Sequence, residues 1–504
     1  MGGLSADRGR GSVACRNRYP DGSRAHPGYA DQSRRDVPGA AARSSPPARF
    51  SSLRTARGVP IRTPLDGGGA VTEGTFAALA LLVLGWAVVS DLLARLNITG
   101  PLVFAVAGYA LGNPDWGPLS VDVEAPSVHL LAELTLALLL FADAARVNVS
   151  RLKEDIRLPG RLLALGLPLS VILGALLAAW FFDDFTWALA GFVGATLAPT
   201  DAALSAQVIN DRLIPVRLRR ALNVESGLND GIVTPVVTFT LAIAAGQLGI
   251  ESHDGAADHG GGALLELAVG LIAGLAVGTV GAWLLTVGSR RHWMTTGARR
   301  LGTLAAALSS FALAVTFDGN GFIAAFVAGI AFRATLDEQT IDADTAVELP
   351  ELLGEVLAFA VWFAFGAALV PIALHNFDLT LLAYAVLSLT VVRIVPVALS
   401  LLGAGLDRRT VGFVGWFGPR GLASVVFALL AVEQLGEVPV VERVVAVVAL
   451  TVFLSVVLHG VTAGPLGRRY VHLEQADEDQ RGGPRSRRTT RGLRSPDALR
   501  SDQP

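Results

Sequence analysis

Between residues 73 and 465 the chain is a nearly unbroken succession of apolar runs, and that pattern leaves few folds open. About 20 apolar residues carry a helix across the hydrocarbon core of a bilayer. Inside lipid each backbone N–H and C=O must be satisfied within the protein, so runs of this length predict spanning helices packed as a bundle. Thirteen spans are expected, at 73–94, 99–112, 127–145, 160–182, 185–208, 217–246, 263–288, 299–316, 319–334, 350–373, 378–404, 409–434 and 439–465. Charge content agrees with them, since only 17% of the 504 residues are charged, against roughly 25% in soluble domains. The fold class expected is therefore an all-α polytopic membrane protein.

The formal net charge of −2 conceals an asymmetry between alternate loops. Segments after odd-numbered spans carry Arg95, then Arg146, Arg151, Lys153 and Arg157, then Arg212, Arg217, Arg219 and Arg220, then Arg290, Arg291, Arg299 and Arg300, then Arg333, then Arg408 and Arg409. Segments after even-numbered spans hold Asp115, Asp122, Glu124, Asp183, Asp184, Glu251, Asp254 and Asp258, with Arg443 the basic residue near that surface. Basic loops stay on the cytoplasmic side, so the N-terminus is expected outside and the C-terminus in the cytoplasm. Miscounting one span would have exchanged the two sets halfway along the chain.

Residues 1–72 are rich in Arg, Gly, Ser, Ala and Pro without apolar periodicity, and are expected to be disordered. Twelve arginines there sit on the outer side against the charge rule, which suggests a mis-assigned upstream start with the working chain beginning near Val71. Residues 471–504 read as a second disordered, charged tail. The single cysteine, Cys15, excludes a disulfide framework and a cysteine metal site. No cofactor, no enzymatic activity and no nucleic-acid partner are expected.

Four polar residues interrupt the apolar sixth span: Glu225, Ser226, Asn229 and Asp230. An ionisable side chain at a helix centre costs about 2.5–3.5 kcal/mol to insert, so such residues mark ion or proton pathways. Positions four apart lie nearly in line along a helix, which puts Ser226 and Asp230 on one face and Glu225 and Asn229 on the next. A hydroxyl one turn from a carboxylate offers hard oxygen ligands to a small cation, while Asn229 adds hydrogen bonding without a second charge. Glu225 needs a cationic partner, and both Arg393 and Arg420 lie inside later spans; geometry read from sequence leaves that choice open.

A second buried acid, Asp201, follows Pro199-Thr200 in the middle of the fifth span. Proline removes a helical hydrogen bond and clashes with the preceding turn, so the helix should break there and free carbonyls near Ala198 and Thr200 as cation ligands. Gly418-Pro419-Arg420-Gly421 interrupts the twelfth span in the same way. The two breaks occupy the middle member of spans 4–6 and of spans 11–13. Seven spans separate the starts of these triplets, so they run in opposite senses, as inverted repeats do. The site is expected where the breaks approach, close to Asp201 and Asp230. Glu225 and Arg393 are expected to be scaffold, and Arg420 to balance the carbonyl ends of the broken helix or gate the site. Glu133 and Asp143 lie in the third span, with Asp143 and Arg146 expected at an interfacial turn. Asp91 and Arg95 form an i,i+4 surface pair, Glu355 reaches toward the cytoplasmic vestibule, and no histidine is assigned a ligand role.

Six segments, in order along the chain, carry a family resemblance: LALLLFADAARVN, GATLAPTDAALSA, NVESGLNDGIVTPV, GFIAAFVAGIAF, VRIVPVALSLLG and GWFGPRGLASVVFALL. The chain resembles bacterial cation/proton antiporters of the NhaP type, over nearly all of residues 73–465. That resemblance implies the Na+/H+ antiporter fold, with inverted repeats and interrupted helices 5 and 12. It implies a homodimer with a transport core (160–246 and 378–465) and a dimerisation scaffold (73–145 and 263–373) within a membrane domain of 73–470. It implies that Asp230 is the ion- and proton-binding acid, with Asp201, the Thr200 backbone and Ser226 as co-ligands of Na+ or K+. Glu225 and Arg393 match an ion pair between helices 6 and 11, and Asn229 in place of an acid matches electroneutral exchange of one cation for one proton. The long N-terminal arm and Gly227, where many relatives carry a larger apolar residue, depart from the pattern. Electroneutral Na+/H+ exchange is the function expected, by competition of proton and cation for Asp230. K+/H+ exchange shares every motif; more remote alternatives are an organic-anion transporter on the same fold and an intramembrane aspartyl protease using Asp201 and Asp230.

Overall fold

The computed structural model describes residues 73–119, 121–122, 125–147, 156–201, 204, 214–250, 259–436 and 438–481. The arm at 1–72, with Cys15, and the chain beyond 481 lie outside them. Every regular element among the described residues is a helix: α1 (Glu73–Arg95), α2 (Gly100–Gly112), α3 (Pro126–Arg146), α4 (Arg157–Phe181), α5 (Trp187–Thr196), α6 (Val216–Gln247), α7 (His259–Arg290), α8 (Thr296–Thr316), α9 (Gly321–Thr335), α10 (Ala343–His375), α11 (Leu379–Ser400), α12 (Arg408–Trp416), α13 (Leu422–Leu435) and α14 (Pro439–Arg481). Each expected span has a helical counterpart, and α12 with α13 makes up the twelfth. Eight of the helices are long and apolar enough to cross a membrane, and shorter apolar helices at 100–112, 187–196, 321–335 and 422–435 accompany them. The last helix continues to Arg481, so residues 471–481, expected in the disordered tail, are helical.

The two interruptions follow the local sequence. α5 starts at a Thr186 cap, whose hydroxyl accepts from the Leu189 N–H, and stops at Thr196, ahead of Pro199. α12 starts at Asp407, whose carboxylate accepts from the Thr410 and Arg409 N–H groups. The Thr410 side-chain hydrogen bond, and behind it those backbone bonds, hold the Asp407 carboxyl below the usual carboxylate range. Gly418-Pro419 then ends the helix at Trp416, and α13 resumes only at Leu422. Three further irregularities were not expected: π-helical turns at Leu162–Gly166 in α4 and Phe365–Leu369 in α10, and a departure from helical geometry at Thr390 in α11, with φ −110° and ψ −80°.

Ion pairs between helix ends check the parity of the spans. Arg290 at the end of α7 meets Asp337 after α9 at 2.8 Å, and Arg146 at the end of α3 bonds Glu351 early in α10. Both pairs join segments that follow odd-numbered spans. Arg443, at the start of α14, lies 3.8 Å from Asp184 and 3.3 Å from Asp378, and His375 lies 3.8 Å from Asp115. Those join segments that follow even-numbered spans. Had one span been miscounted, such pairs would have to cross the bilayer.

α6 packs against α3, α5, α7, α9 and α13. Its Gly231 lies so close to α9 that a Cβ there would run into the Phe326 ring. A large apolar cluster surrounds it, including Phe141, Phe192, Val237, Phe332, Trp362 and Phe427. A second cluster, with Leu162, Leu218, Val397, Val414 and Tyr470, ties α4, α6, α11, α12 and α14 together at one end.

Candidate functional site

The two helix breaks meet. The Asp201 N–H donates to the Pro419 carbonyl at 2.8 Å, and the Leu422 N–H, at the start of α13, donates to Asp201 Oδ2 at 3.2 Å. The Leu204 N–H approaches Asp201 Oδ1 at 3.4 Å. Ser424 Oγ, one turn into α13, donates to the Thr196 carbonyl at the end of α5 at 2.6 Å. One carboxylate thus rests on the N-terminus of a half-helix, where the unpaired N–H groups and the helix dipole favour negative charge. Gly421 is what lets it lie there, because a Cβ at that position would overlap the Asp201 carboxylate.

Across from this crossing, α6 presents its polar residues to Thr200. Thr200 Oγ1 and Ser226 Oγ are 3.1 Å apart, and Asn229 Nδ2 donates to Thr200 Oγ1 at 2.8 Å and to the Thr200 carbonyl at 3.2 Å. Sequence spacing put Asn229 on the face of Glu225; in the structure it joins Ser226 instead, because Thr200 is wedged between the two adjacent faces. The Thr200 carbonyl, expected to be free, already accepts from Asn229 and keeps one lone pair for a further partner. Thr200 and Asn229 are 2% and 1% exposed, whereas Asp230 and Asp201 are partly accessible. Among the described residues no donor bonds the Asp230 carboxylate, although its backbone carbonyl accepts from Thr234. Asp201 and Asp143 are the carboxylates within electrostatic reach of it. Among the described residues no trio of His, Cys, Asp or Glu converges as a metal cluster. Ligands for a cation here would be carboxylates supplemented by hydroxyl and carbonyl oxygens, a set suited to a weakly held hard ion.

The structure pairs Glu225 with Arg393, not with Arg420. Arg393 Nη1 and Nη2 reach Glu225 Oε1 and Oε2 at 2.5 and 3.0 Å, and both residues are 2% exposed. Arg420 is fully buried behind them. Its Nη1 donates to the Gly418 carbonyl at 3.0 Å and its Nη2 to the Ser388 carbonyl at 3.3 Å. Ser388 lies just before Thr390, where the backbone dihedrals leave helical values. Arg420 therefore holds carbonyls from two disturbed spans, and among the described residues it contacts no ligand of the site directly.

Other expectations changed on contact with geometry. Arg146 turns away from Asp143 toward Glu351, and Asp143 packs beside Gly227 of α6, where a Cβ would lie 3.7 Å from its own. Glu133 lies near Glu433, whose carboxylate is 3.5 Å from His129 Nδ1. Asp91 and Arg95 do form their i,i+4 pair, at 2.5 Å and well exposed. The sequence reading missed Ser424, Ser455 and His459; the signal available was polar residues spaced by four within apolar runs.

The family model described as sodium/hydrogen exchanger, transmembrane, matches residues 78–469. A protein named K(+)/H(+) antiporter NhaP from Alkalimonas amylolytica is 26% identical over 398 residues, covering 77% of this chain and 66% of its own length. A protein named Na(+)/H(+) antiporter NhaP from Pseudomonas aeruginosa is 28% identical over 354 residues, covering 66% of this chain and 79% of its own length. The chain spans only 59% of the K(+)/H(+) antiporter NhaP2 of Shewanella sp. MR-4, at 24% identity. Among solved structures, the sodium proton antiporter MjNhaP1 of Methanocaldococcus jannaschii superposes with a TM-score of 0.63 at 17% identity, covering 79% of this chain and 98% of that one. That likeness shows the fold, an inverted-repeat antiporter architecture. With the family model covering well over half of its length, the chain is a multi-pass membrane protein of the sodium/hydrogen exchanger family.

Proposed function

We propose that the protein exchanges a monovalent cation for a proton across a bacterial inner membrane, with Asp230 as the group for which the two compete. The observation that carries this reading is the Asp230 carboxylate itself. It is held at mid-span without a hydrogen-bond donor among the described residues, one turn from Ser226 and beside the crossed breaks that bear Asp201. A carboxylate with no protein donor is stable at that depth only when a proton or a cation neutralises it. Either ligand makes the loaded core cheap to move, and a bare charge does not cross. That asymmetry couples the two fluxes.

Asp201, Thr200 and Ser226 supply the remaining oxygens, Asn229 fixes Thr200, and Glu225 with Arg393 stays paired throughout. Because Asn229 carries no charge, one proton balances one cation and exchange is electroneutral. Na+ is the proposed substrate; K+ is the alternative, favoured by the name of the Alkalimonas relative. The working unit is a homodimer in which the core, 160–246 and 378–465, moves against a scaffold, 73–145 and 263–373, with the C-terminus in the cytoplasm. The test is cation-driven dequenching of a pH dye in proteoliposomes. Wild-type protein should respond to Na+, and Asp230→Asn should abolish the response while the protein remains folded. Full exchange by Asp230→Asn would overturn the assignment, and a response to K+ alone would replace the sodium claim.

A further inference from the structure

We infer that His459 is a positioning residue for the site: with Ser455 it braces the broken twelfth span from α14 and so fixes where Asp201 lies. The inference rests on the exchange function proposed above and adds residues outside its ion-binding set.

His459 is 2% exposed and its ring stacks on the Trp416 indole, with centroids 5.1 Å apart and planes inclined by 30°. Nε2 lies 3.0 Å from the Trp416 carbonyl, which belongs to the last residue of α12. Nδ1 lies 3.3 Å from Ser455 Oγ and 2.9 Å from the Ser455 carbonyl. A carbonyl oxygen only accepts, so a neutral ring cannot donate to both carbonyls at once. With its proton on Nε2 the ring donates to the Trp416 carbonyl and accepts a hydrogen bond from the Ser455 hydroxyl at Nδ1, the one arrangement that links α12 to Ser455 through both ring nitrogens. Ser455 Oγ in turn accepts the Arg420 N–H at 2.7 Å. The bonds form a chain from Arg420 through Ser455 and His459 to Trp416, spanning the gap between α12 and α13 from one side.

Between those two anchored residues lies Pro419, whose carbonyl receives the Asp201 N–H. Just after them lies Leu422, whose N–H meets the Asp201 carboxylate. Moving the break therefore moves two of the contacts that place Asp201. Trp416 is gripped a second time through its indole N–H, which donates to Thr462 Oγ1 at 3.1 Å. Ser455, His459 and Thr462 are spaced by four and three, so one face of α14 carries the whole brace.

The experiment compares His459→Leu, His459→Gln, Ser455→Ala and Thr462→Val in proteoliposomes, reading the half-saturating Na+ concentration and the maximal rate separately. Deuterium uptake across residues 416–422 is measured on the same preparations. His459→Leu and Ser455→Ala should each raise the half-saturating concentration about three- to tenfold, the size of one lost buried hydrogen bond. Both should speed uptake across the break. His459→Gln, whose amide N–H reaches as far as Nε2, should restore both readouts toward wild type. Thr462→Val, which removes the indole bond but leaves the Trp416 carbonyl held by His459, should raise the half-saturating concentration less than His459→Leu does. A folded His459→Leu or Ser455→Ala protein with wild-type values for both readouts overturns the proposal, as does a His459→Gln protein as impaired as His459→Leu. If His459→Leu does not fold, the Ser455→Ala and His459→Gln results decide. If the wild type itself moves neither Na+ nor protons, the exchange function falls while deuterium uptake still tests the brace.

Discussion

Breaking the Glu225–Arg393 pair should cost stability without changing what the protein binds. Both side chains are 3% exposed and joined by two short hydrogen bonds, and among the described residues Arg393 has no other acceptor; its Nε is unpartnered. Glu225→Gln removes the counter-charge from a guanidinium that cannot shed its proton, and leaving such a charge uncompensated costs about 3–5 kcal/mol. Arg393→Met should cost less, toward the lower end of that range, because a stranded carboxylate can take up a proton. Replacing both with Gln and Met removes the two buried charges together, and should cost about 1 kcal/mol or less, since buried pairs exchanged for neutral residues of similar volume come out near even. The double-mutant cycle therefore carries a coupling of about 3 kcal/mol or more. Reversible unfolding in mixed detergent micelles, titrated with sodium dodecyl sulfate, measures all four proteins. Additive costs, with the double variant as unstable as the two singles summed, would refute the reasoning. So would a double variant of wild-type stability whose half-saturating Na+ concentration has shifted, because Glu225 would then belong to the ion path.

Gly421→Ala should displace the Asp201 carboxylate and weaken apparent cation affinity about tenfold, equivalent to about 1.4 kcal/mol; Gly412→Ala, whose Cβ would meet nothing within 4 Å, serves as the control in the same flux assay. Asn229→Ala should raise the half-saturating cation concentration about three- to tenfold by releasing Thr200 from its two bonds, while the maximal rate changes less. The Thr340 hydroxyl and the Arg290 guanidinium hold the Asp337 carboxyl below the usual carboxylate range. A lowered folded-state pKa gives a contribution that is full above about pH 3.9, the unfolded value, and is lost as pH falls through the lower folded value. Protection of the Gln339 amide, which donates to the Asp337 carboxylate, should therefore fall below about pH 4 once intrinsic exchange is divided out, and Asp337→Asn should remove that dependence.

Much of this arrangement is legible in the sequence because it follows from short-range rules. Pro199 and Gly418-Pro419 cannot continue a helix, and α5 and α12 stop ahead of them. Loop charge set the parity of the spans, which the Arg290–Asp337 and Arg443–Asp378 pairs respect. What could not be read depends on contacts between distant segments. Spacing put Asn229 on the face of Glu225, yet Thr200 draws its amide toward Ser226, and Arg146, expected with Asp143 at an interfacial turn, takes Glu351 on α10 as its partner. The choice between Arg393 and Arg420 as partner of Glu225 was open to residue spacing and closed by the family resemblance, and the coordinates give the bidentate geometry. Thr390 looks like any β-branched residue in an apolar helix; its irregularity goes with a carbonyl that Arg420 takes from another span. His459 lies near the end of the thirteenth expected span, and histidines in loops or near helix ends carry no expected ligand role.

The meeting of the two breaks limits what can move. Asp201 is bonded to Pro419 and Leu422, and Thr196 to Ser424, so half-helices separated by more than 200 positions in the chain are stitched together by backbone as well as side chains. Sliding one past the other would rupture all three of these hydrogen bonds at once. Any displacement that carries Asp230 from one surface toward the other must therefore take the fifth and twelfth spans along as a single rigid piece. The compliant boundary has to be sought at the surfaces around that piece, where α6 meets its neighbours through Gly227 and Gly231.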